Sequence, residues 1–281
     1  MNAVAVAPPS NVAQRIRLAL SDGLVVAWRN LVTIWRVPTV LVFELVQPIM
    51  FVLLFRYVYE NAIRNIGFDY VLFLMPGIFI QNAIFGSTST AIGLAEDLKK
   101  GLLDRFRSLP MARSAVLAGR TTSDLAKNLI LVLVMIAIGY LVGFRFQNGF
   151  VPALGVVVLV LAVSFTFSWI SATVGLAIKQ VEGVQAAVFT FVFPLVFVSA
   201  AFIPVESMSS VLQPIARNNP ITFWCDLARH LSLGSEFVAA ATPASQPVTS
   251  VDDLVIKSAL WIVGLLAVFI PLSIRLYRKL T

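Results

Sequence analysis

The chain is poor in the residues that soluble enzymes use for chemistry. It has one histidine, His230, and one cysteine, Cys225, among 281 residues. One cysteine closes no intrachain disulfide, and a lone Cys and a lone His build no zinc site. A Ser/His pair using His230 is the one nucleophile–base arrangement open to it, against the plainer reading of a surface-helix histidine beside Arg229. Charge is scarce as well: 12% of residues are Asp, Glu, Lys or Arg, about half the usual share. Neither the phosphate-loop pattern G-x-x-x-x-G-K-[ST] nor the dinucleotide fingerprint G-x-G-x-x-G occurs. The chain therefore binds no nucleotide by those routes, and ATP-driven work has to come from another polypeptide. Residues Met1 to Pro9 lack the basic start of a signal peptide, and 1–13 read as a disordered tail.

What the sequence has in abundance is apolar length. Hydrophobic residues make up 59% of it. Residues 70–95, 146–178 and 183–205 hold no charge at all, and each exceeds the roughly 20 residues that a helix needs to cross a bilayer. Two windows of 17 uncharged residues, 128–144 and 258–274, have charged shoulders that can reach the interface. A sixth segment, Val37 to Phe55, is interrupted only by Glu44. The expectation is an all-α integral membrane protein with six spans, at about 38–58, 70–95, 115–143, 151–177, 184–203 and 254–274.

Residues 14–36 precede them. Ile16, Leu20, Leu24, Ala27, Leu31 and Ile34 recur every three or four residues, opposite Arg15, Asp22, Arg29 and Arg36. This predicts an amphipathic helix in the cytoplasmic headgroup layer. With the N-terminus inside, 15 of the 21 Lys and Arg residues fall on the cytoplasmic side, as the positive-inside rule requires. The net charge of +7 thus answers to the membrane rather than to nucleic acid. Both termini are expected in the cytoplasm. The first turns of span 3, with Arg120, Asp124 and Lys127, are expected to project into it, with Ser114 as N-cap. Residues 204–253 fall outside and carry two short helix candidates, about 207–217 and 221–233.

Two places carry chemistry. Span 2 holds Gln81, Asn82 and the run Gly86-Ser-Thr-Ser-Thr90, too polar for lipid contact, so one face should line helices or a pathway. Glu44 lies about two turns into span 1, and intramembrane carboxylates are costly and usually functional. Its partner is either Arg36 or a polar group of span 2. Glu44, Gln47, Gln81, Asn82, Phe85, Phe193 and Phe197 form the candidate substrate pathway. The other place is Glu96 to Arg113, where eight of eighteen residues are ionisable. Leu102, Leu103, Phe106 and Leu109 run through it at helical spacing, between Gly101 and Pro110. A solvated loop explains the charges, whereas the embedded apolar face predicts a short helix on which a soluble partner docks.

These features resemble the membrane permease of type-2 ABC exporters, in particular the daunorubicin-resistance-type permeases of actinobacteria, over nearly the whole chain. The specific matches are Glu96 through Arg113, with its acidic-basic start, Gly101, the arginines and Leu109-Pro110; the exit Phe197-Val-Ser-Ala-Ala-Phe-Ile-Pro204; Leu212-Gln-Pro-Ile-Ala-Arg-Asn-Asn-Pro220; and Arg229. Val205 to Val211 departs from the family pattern, lacking its Pro and Trp. The resemblance implies one half of a transmembrane dimer, made with a second copy or a paralogue, beside two separate ATPase subunits that bind ATP and Mg. Glu96, Asp97, Lys99, Gly101, Asp104, Arg105, Phe106, Arg107, Leu109, Pro110 and Arg113 then belong to the coupling helix. Residues 14–36 become the interface helix beside it. Phe202, Pro204, Pro220 and Arg229 belong to an outer gate. The implied function is export of amphipathic lipids or hydrophobic drugs across a bacterial plasma membrane. The chain itself would be no enzyme and would bind no cofactor or metal. A secondary transporter or channel is the alternative, and it calls for more intramembrane carboxylates than Glu44.

Overall fold

The computed structural model of the chain describes residues 38–59, 69–100, 113–241 and 249–280. The tail, the amphipathic helix 14–36 and the centre of the expected coupling helix, 101–112, lie outside the described residues. Every regular element among the described residues is helical.

Helix α1, Pro38–Leu54, runs into a π turn at Phe55–Tyr59. Span 2 is two helices, α2 (Tyr70–Gly86) and α3 (Thr88–Lys99), divided at Ser87. The Asp69 side chain caps α2 by accepting from the Val71 N–H at 3.0 Å. The division follows from the Gly-Ser-Thr-Ser-Thr run: Ser87 and Thr88 hydroxyls donate back to the Ala83 and Phe85 carbonyls, and Ser89 to Gly86. Such local side-chain bonds compete with the helical ladder. Helices α4 (Arg113–Val142) and α5 (Phe150–Ile178) nearly coincide with the third and fourth expected spans. Ser114 is inside α4 rather than capping it. Lys179, at φ 63°, turns the chain directly into the fifth segment.

That fifth segment is shorter and less regular than the expected 184–203. Helix α6 (Val181–Ala187), a π turn (Val188–Val192) and α7 (Phe193–Phe197) follow one another, and regular helix stops at Phe197. The chain then runs irregularly to Pro204, because side chains from elsewhere take up its backbone groups. Asn219 Nδ2 donates to the Leu195 and Val198 carbonyls, both at 2.7 Å. The Ala200 N–H donates to Thr222 Oγ1 at 3.1 Å, and the Tyr70 hydroxyl to the Phe202 carbonyl at 2.7 Å. Non-helical backbone at such depth is tolerated where protein satisfies it. Between the fifth segment and the last long helix lie α8 (Gln213–Asn218), α9 (Pro220–Leu233) and α10 (Ser235–Ala241). The first of these α-helices thus begins at 213 rather than 207. Helix α11, Val251–Leu280, outruns the expected span 6 at both ends.

Among the described residues four helices are long and apolar enough to cross a membrane: Tyr70–Lys99 taken through its break, Arg120–Val142, Phe150–Ile178 and Val251–Lys279. Val181–Phe197 is a shorter apolar helix. Span 2 is the central element, and α2 is buried along almost its whole length. Close approach fixes its neighbours. A Cβ on Gly77 would stand 1.9 Å from the Ala201 carbonyl oxygen, and one on Gly175 of α5 would stand 2.5 Å from that of Ala91.

Candidate functional site

A cavity of about 610 Å³ opens between α1, the break in span 2 and the start of the fifth segment. Phe43, Glu44, Gln47, Pro48, Gln81, Asn82, Phe85, Gly86, Thr88, Ser89, Ile92, Gln185, Val188 and Phe189 line it. Five of the seven candidate pathway residues, Glu44, Gln47, Gln81, Asn82 and Phe85, therefore share one wall. The other two continue it as a ladder of rings. Phe85 meets Phe193 edge-on at 6.3 Å between centroids, and Phe193 stacks on Phe197 at 4.2 Å. Phe197 then meets Phe202 at 4.8 Å, and Phe202 stacks on Phe55 at 5.0 Å. The cavity is thus joined to the irregular stretch after Phe197 by a continuous apolar, polarisable strip.

Its polar wall is unevenly satisfied. Gln81 is 1% exposed, and its Oε1 has no hydrogen-bond partner; Glu44 Oε2 has none either. Buried acceptors without donors are costly, so both atoms favour a state in which a donor reaches them.

Arg36, one expected partner of Glu44, lies outside the described residues, and the partner seen is not on span 2. Glu44 Oε1 accepts from Lys127 Nζ at 2.9 Å. Lys127, in the first turns of the third expected span, is packed inside the protein, its side chain 4% exposed. It also donates to the Gly86 carbonyl at 3.0 Å and to Ser89 Oγ at 2.6 Å. An ammonium has three protons, and all three are used. Sequence reasoning missed Lys127 because the apolar run from Asn128 onward made it look like the shoulder of a span. The available signal was Glu44 itself, a buried carboxylate in need of a cation. Arg120 and Asp124 of the same helix also turn inward. Arg120 pairs with Asp97, and Asp124 accepts from Thr90.

Of the expected coupling residues, Glu96, Asp97 and Lys99 end α3. Glu96 makes an exposed pair with Lys100 at 2.9 Å, and Lys99 lines a surface hollow with Lys179 and Glu182. Gly101, Asp104, Arg105, Phe106, Arg107, Leu109 and Pro110 lie outside the described residues. Arg113 opens α4.

Of the expected gate residues, Arg229 forms a buried joint. Arg229, 3% exposed, donates through Nε to the Phe73 carbonyl at 3.0 Å and through its Nη2 to the Ala200 and Ala201 carbonyls. It pairs with Asp226 at 2.8 Å, and its guanidinium lies 3.6 Å from the centroid of the Phe73 ring. Phe202 is buried, whereas Pro204 and Pro220 are half-buried. His230 is buried in α9 rather than exposed, with Nδ1 3.4 Å from Ser235 Oγ; burial lowers its pKa. Among the described residues no group of three or more His, Cys, Asp or Glu is placed to hold a metal ion.

Comparison with known proteins gives a consistent set of relatives. The family described as ABC-2 type transporter matches residues 23–233. A daunorubicin resistance ABC transporter permease of Streptomyces coeruleorubidus is 30% identical over 261 residues, which covers 93% of this chain and 87% of that protein. A probable doxorubicin resistance ABC transporter permease of Mycobacterium tuberculosis is 29% identical over 194 residues, 68% and 69% of the two chains. A putative transport permease of Cyanophora paradoxa is 26% identical over 230 residues, 79% and 78%.

Proposed function

Because this chain belongs to the ABC-2 type transporter family, as a multi-pass membrane permease subunit, we propose that it forms one half of a transmembrane dimer that exports amphipathic lipids or hydrophobic drugs. Two separate ATPase subunits, which bind ATP and Mg, drive it. The other half is a second copy or a paralogue. In this reading the two shorter apolar segments, α1 with its π turn and Val181–Phe197, complete six spans. Both termini are in the cytoplasm of a bacterial cell, and 204–253 are outside the plasma membrane.

The observation that carries the reading is the cavity. Its lining combines apolar Phe43, Phe85, Val188 and Phe189 with a few polar groups, Glu44, Gln47, Gln81 and Asn82. Mostly apolar lining with a few placed polar groups is the usual composition of a small-molecule site. It suits a molecule with an apolar body and a polar end better than it suits an ion or a sugar. The drug-resistance names of the relatives point the same way. When the ATPases close on ATP, they draw on segment 101–112, which joins α3 to α4, and rigid helices carry that motion to the cavity.

The test is transport. The chain is co-expressed with a candidate partner ABC ATPase subunit, and inside-out vesicles are given doxorubicin or a fluorescent phosphatidylglycerol. Accumulation that needs ATP and both subunits is expected. Movement of either probe that is independent of ATP and of the ATPase would instead place the chain among channels or secondary carriers.

A further inference from the structure

The buried contacts of α4 form a graded series. Arg120, Asp124 and Lys127 are spaced at four and three residues, so they share one face of the helix. Their partners climb span 2 in the opposite direction: Asp97, then Thr90, then Ser89 and Gly86. The series begins at Asp97, four residues before Gly101 in the sequence, and ends at Glu44 on the cavity wall.

Lys127 stands where three things meet. Glu44 belongs to α1 and lines the cavity. The Gly86 carbonyl and Ser89 Oγ stand on either side of the break at Ser87. The ammonium has no proton left over, so whatever draws Glu44 away leaves a buried cation with two neutral acceptors. That state is costly, so Lys127 has to shift with the carboxylate or find another partner. Either response changes the bonds across the break.

We propose that Lys127 is the positioning residue through which an occupant of the Glu44 cavity acts on the break in span 2 and, along the Thr90–Asp124 and Asp97–Arg120 contacts, on segment 101–112. This rests on the transport reading above. A group donating hydrogen bonds to Glu44 competes with Lys127 for the carboxylate. The competition moves α4 relative to α1, and the contacts below carry the shift to the segment next to the ATPase. Lys127 itself makes no contact with the occupant.

ATP hydrolysis by the purified permease–ATPase complex in phosphatidylcholine nanodiscs provides the test, with doxorubicin and phosphatidylglycerol as probes. The readout is the ratio of stimulated to unstimulated rate, which a purely structural role would leave unchanged in assembled complex. Wild type is stimulated by at least one probe, and Lys127→Arg, which keeps the charge, retains that stimulation. The pair Glu44→Gln with Lys127→Met removes both charges and leaves no buried ion unpaired; its ratio falls to unity while the ATPase still co-purifies. A wild-type ratio in that assembled double variant overturns the inference and leaves the transport reading standing. If the double variant does not assemble, Ser89→Ala decides. It removes one neutral acceptor of Lys127, so a reduced ratio is expected and an unchanged ratio overturns the inference. No stimulation of wild type by either probe overturns the transport reading and the inference together.

Discussion

Replacing Arg229 with methionine keeps an unbranched stem in α9 and removes the guanidinium. The group sits under the irregular stretch after Phe197, where it donates to the Ala200 and Ala201 carbonyls and to the Phe73 carbonyl, and covers the Phe73 ring at 3.6 Å. Phe73 lies inside α2, so its carbonyl keeps a helical partner. Ala200 and Ala201 lie outside regular helix and lose their donor in a buried place. An orphaned buried acceptor costs about 1–3 kcal/mol. Asp226 is left without its cation, but its side chain is 38% exposed and rehydrates, which adds little. The loss of the stacked cation adds about 1–2 kcal/mol. Two orphaned carbonyls and the lost stack together give an expected destabilisation of at least about 3 kcal/mol. For a domain of this size that lowers the melting temperature by on the order of 10 °C, read by size-exclusion after heating the detergent-solubilised protein. Asp226→Asn serves as the control, because it leaves all the backbone contacts of Arg229 in place and should cost under about 1 kcal/mol. Arg229→Met melting within about 2 °C of wild type, or no lower than Asp226→Asn, would refute Arg229 as the joint between span 2 and the outer stretch.

Three further outcomes are expected. Burial pushes the Cys225 thiol up to about 12, against the opposing charge of Arg229, so maleimide at neutral pH should label the folded protein far more slowly than the SDS-unfolded protein; equal rates would show that α9 is not packed as described. Phe106→Ala should remove an apolar anchor of the expected coupling helix, costing ~2 kcal/mol or more in ATPase binding, so ATPase co-purification should fall while the permease stays in the membrane; unchanged recovery and transport would return that segment to a solvated loop. A cysteine at Ser245, in a Cys225→Ser background, should react with impermeant maleimide added outside intact cells, and reaction only after the inner face is opened would contradict the six-span arrangement.

Where the chain is helical was largely legible in its hydropathy. Helices Arg113–Val142 and Phe150–Ile178 lie within about two residues of the segments read from sequence, because an apolar run bounded by charge or glycine is a local property. The break in span 2 was not apparent from Gly86-Ser-Thr-Ser-Thr90, which reads as a polar face of one continuous span, although its hydroxyls act on neighbouring carbonyls. The early end of the fifth segment at Phe197 was not legible. The groups that satisfy the freed backbone, Tyr70, Asn219, Thr222 and Arg229, lie far away in sequence, and nothing in the run 198–203 announces them.

The same division holds for the candidate site. The sequence by itself determined which polar residues stand in apolar surroundings, Glu44, Gln81 and Asn82 among them, since a polar residue in a long apolar run is visible without any fold. It also determined that a charged segment separates the second and third membrane helices. Only the tertiary structure decided that Glu44 answers to Lys127, that Lys127 is buried rather than solvent-exposed, and that Arg229 is a joint rather than a surface charge. The physical reason is that burial and the partner of a charge are properties of packing. An ion pair needs its two groups within a few ångströms, and in this chain the partners are 83 residues apart.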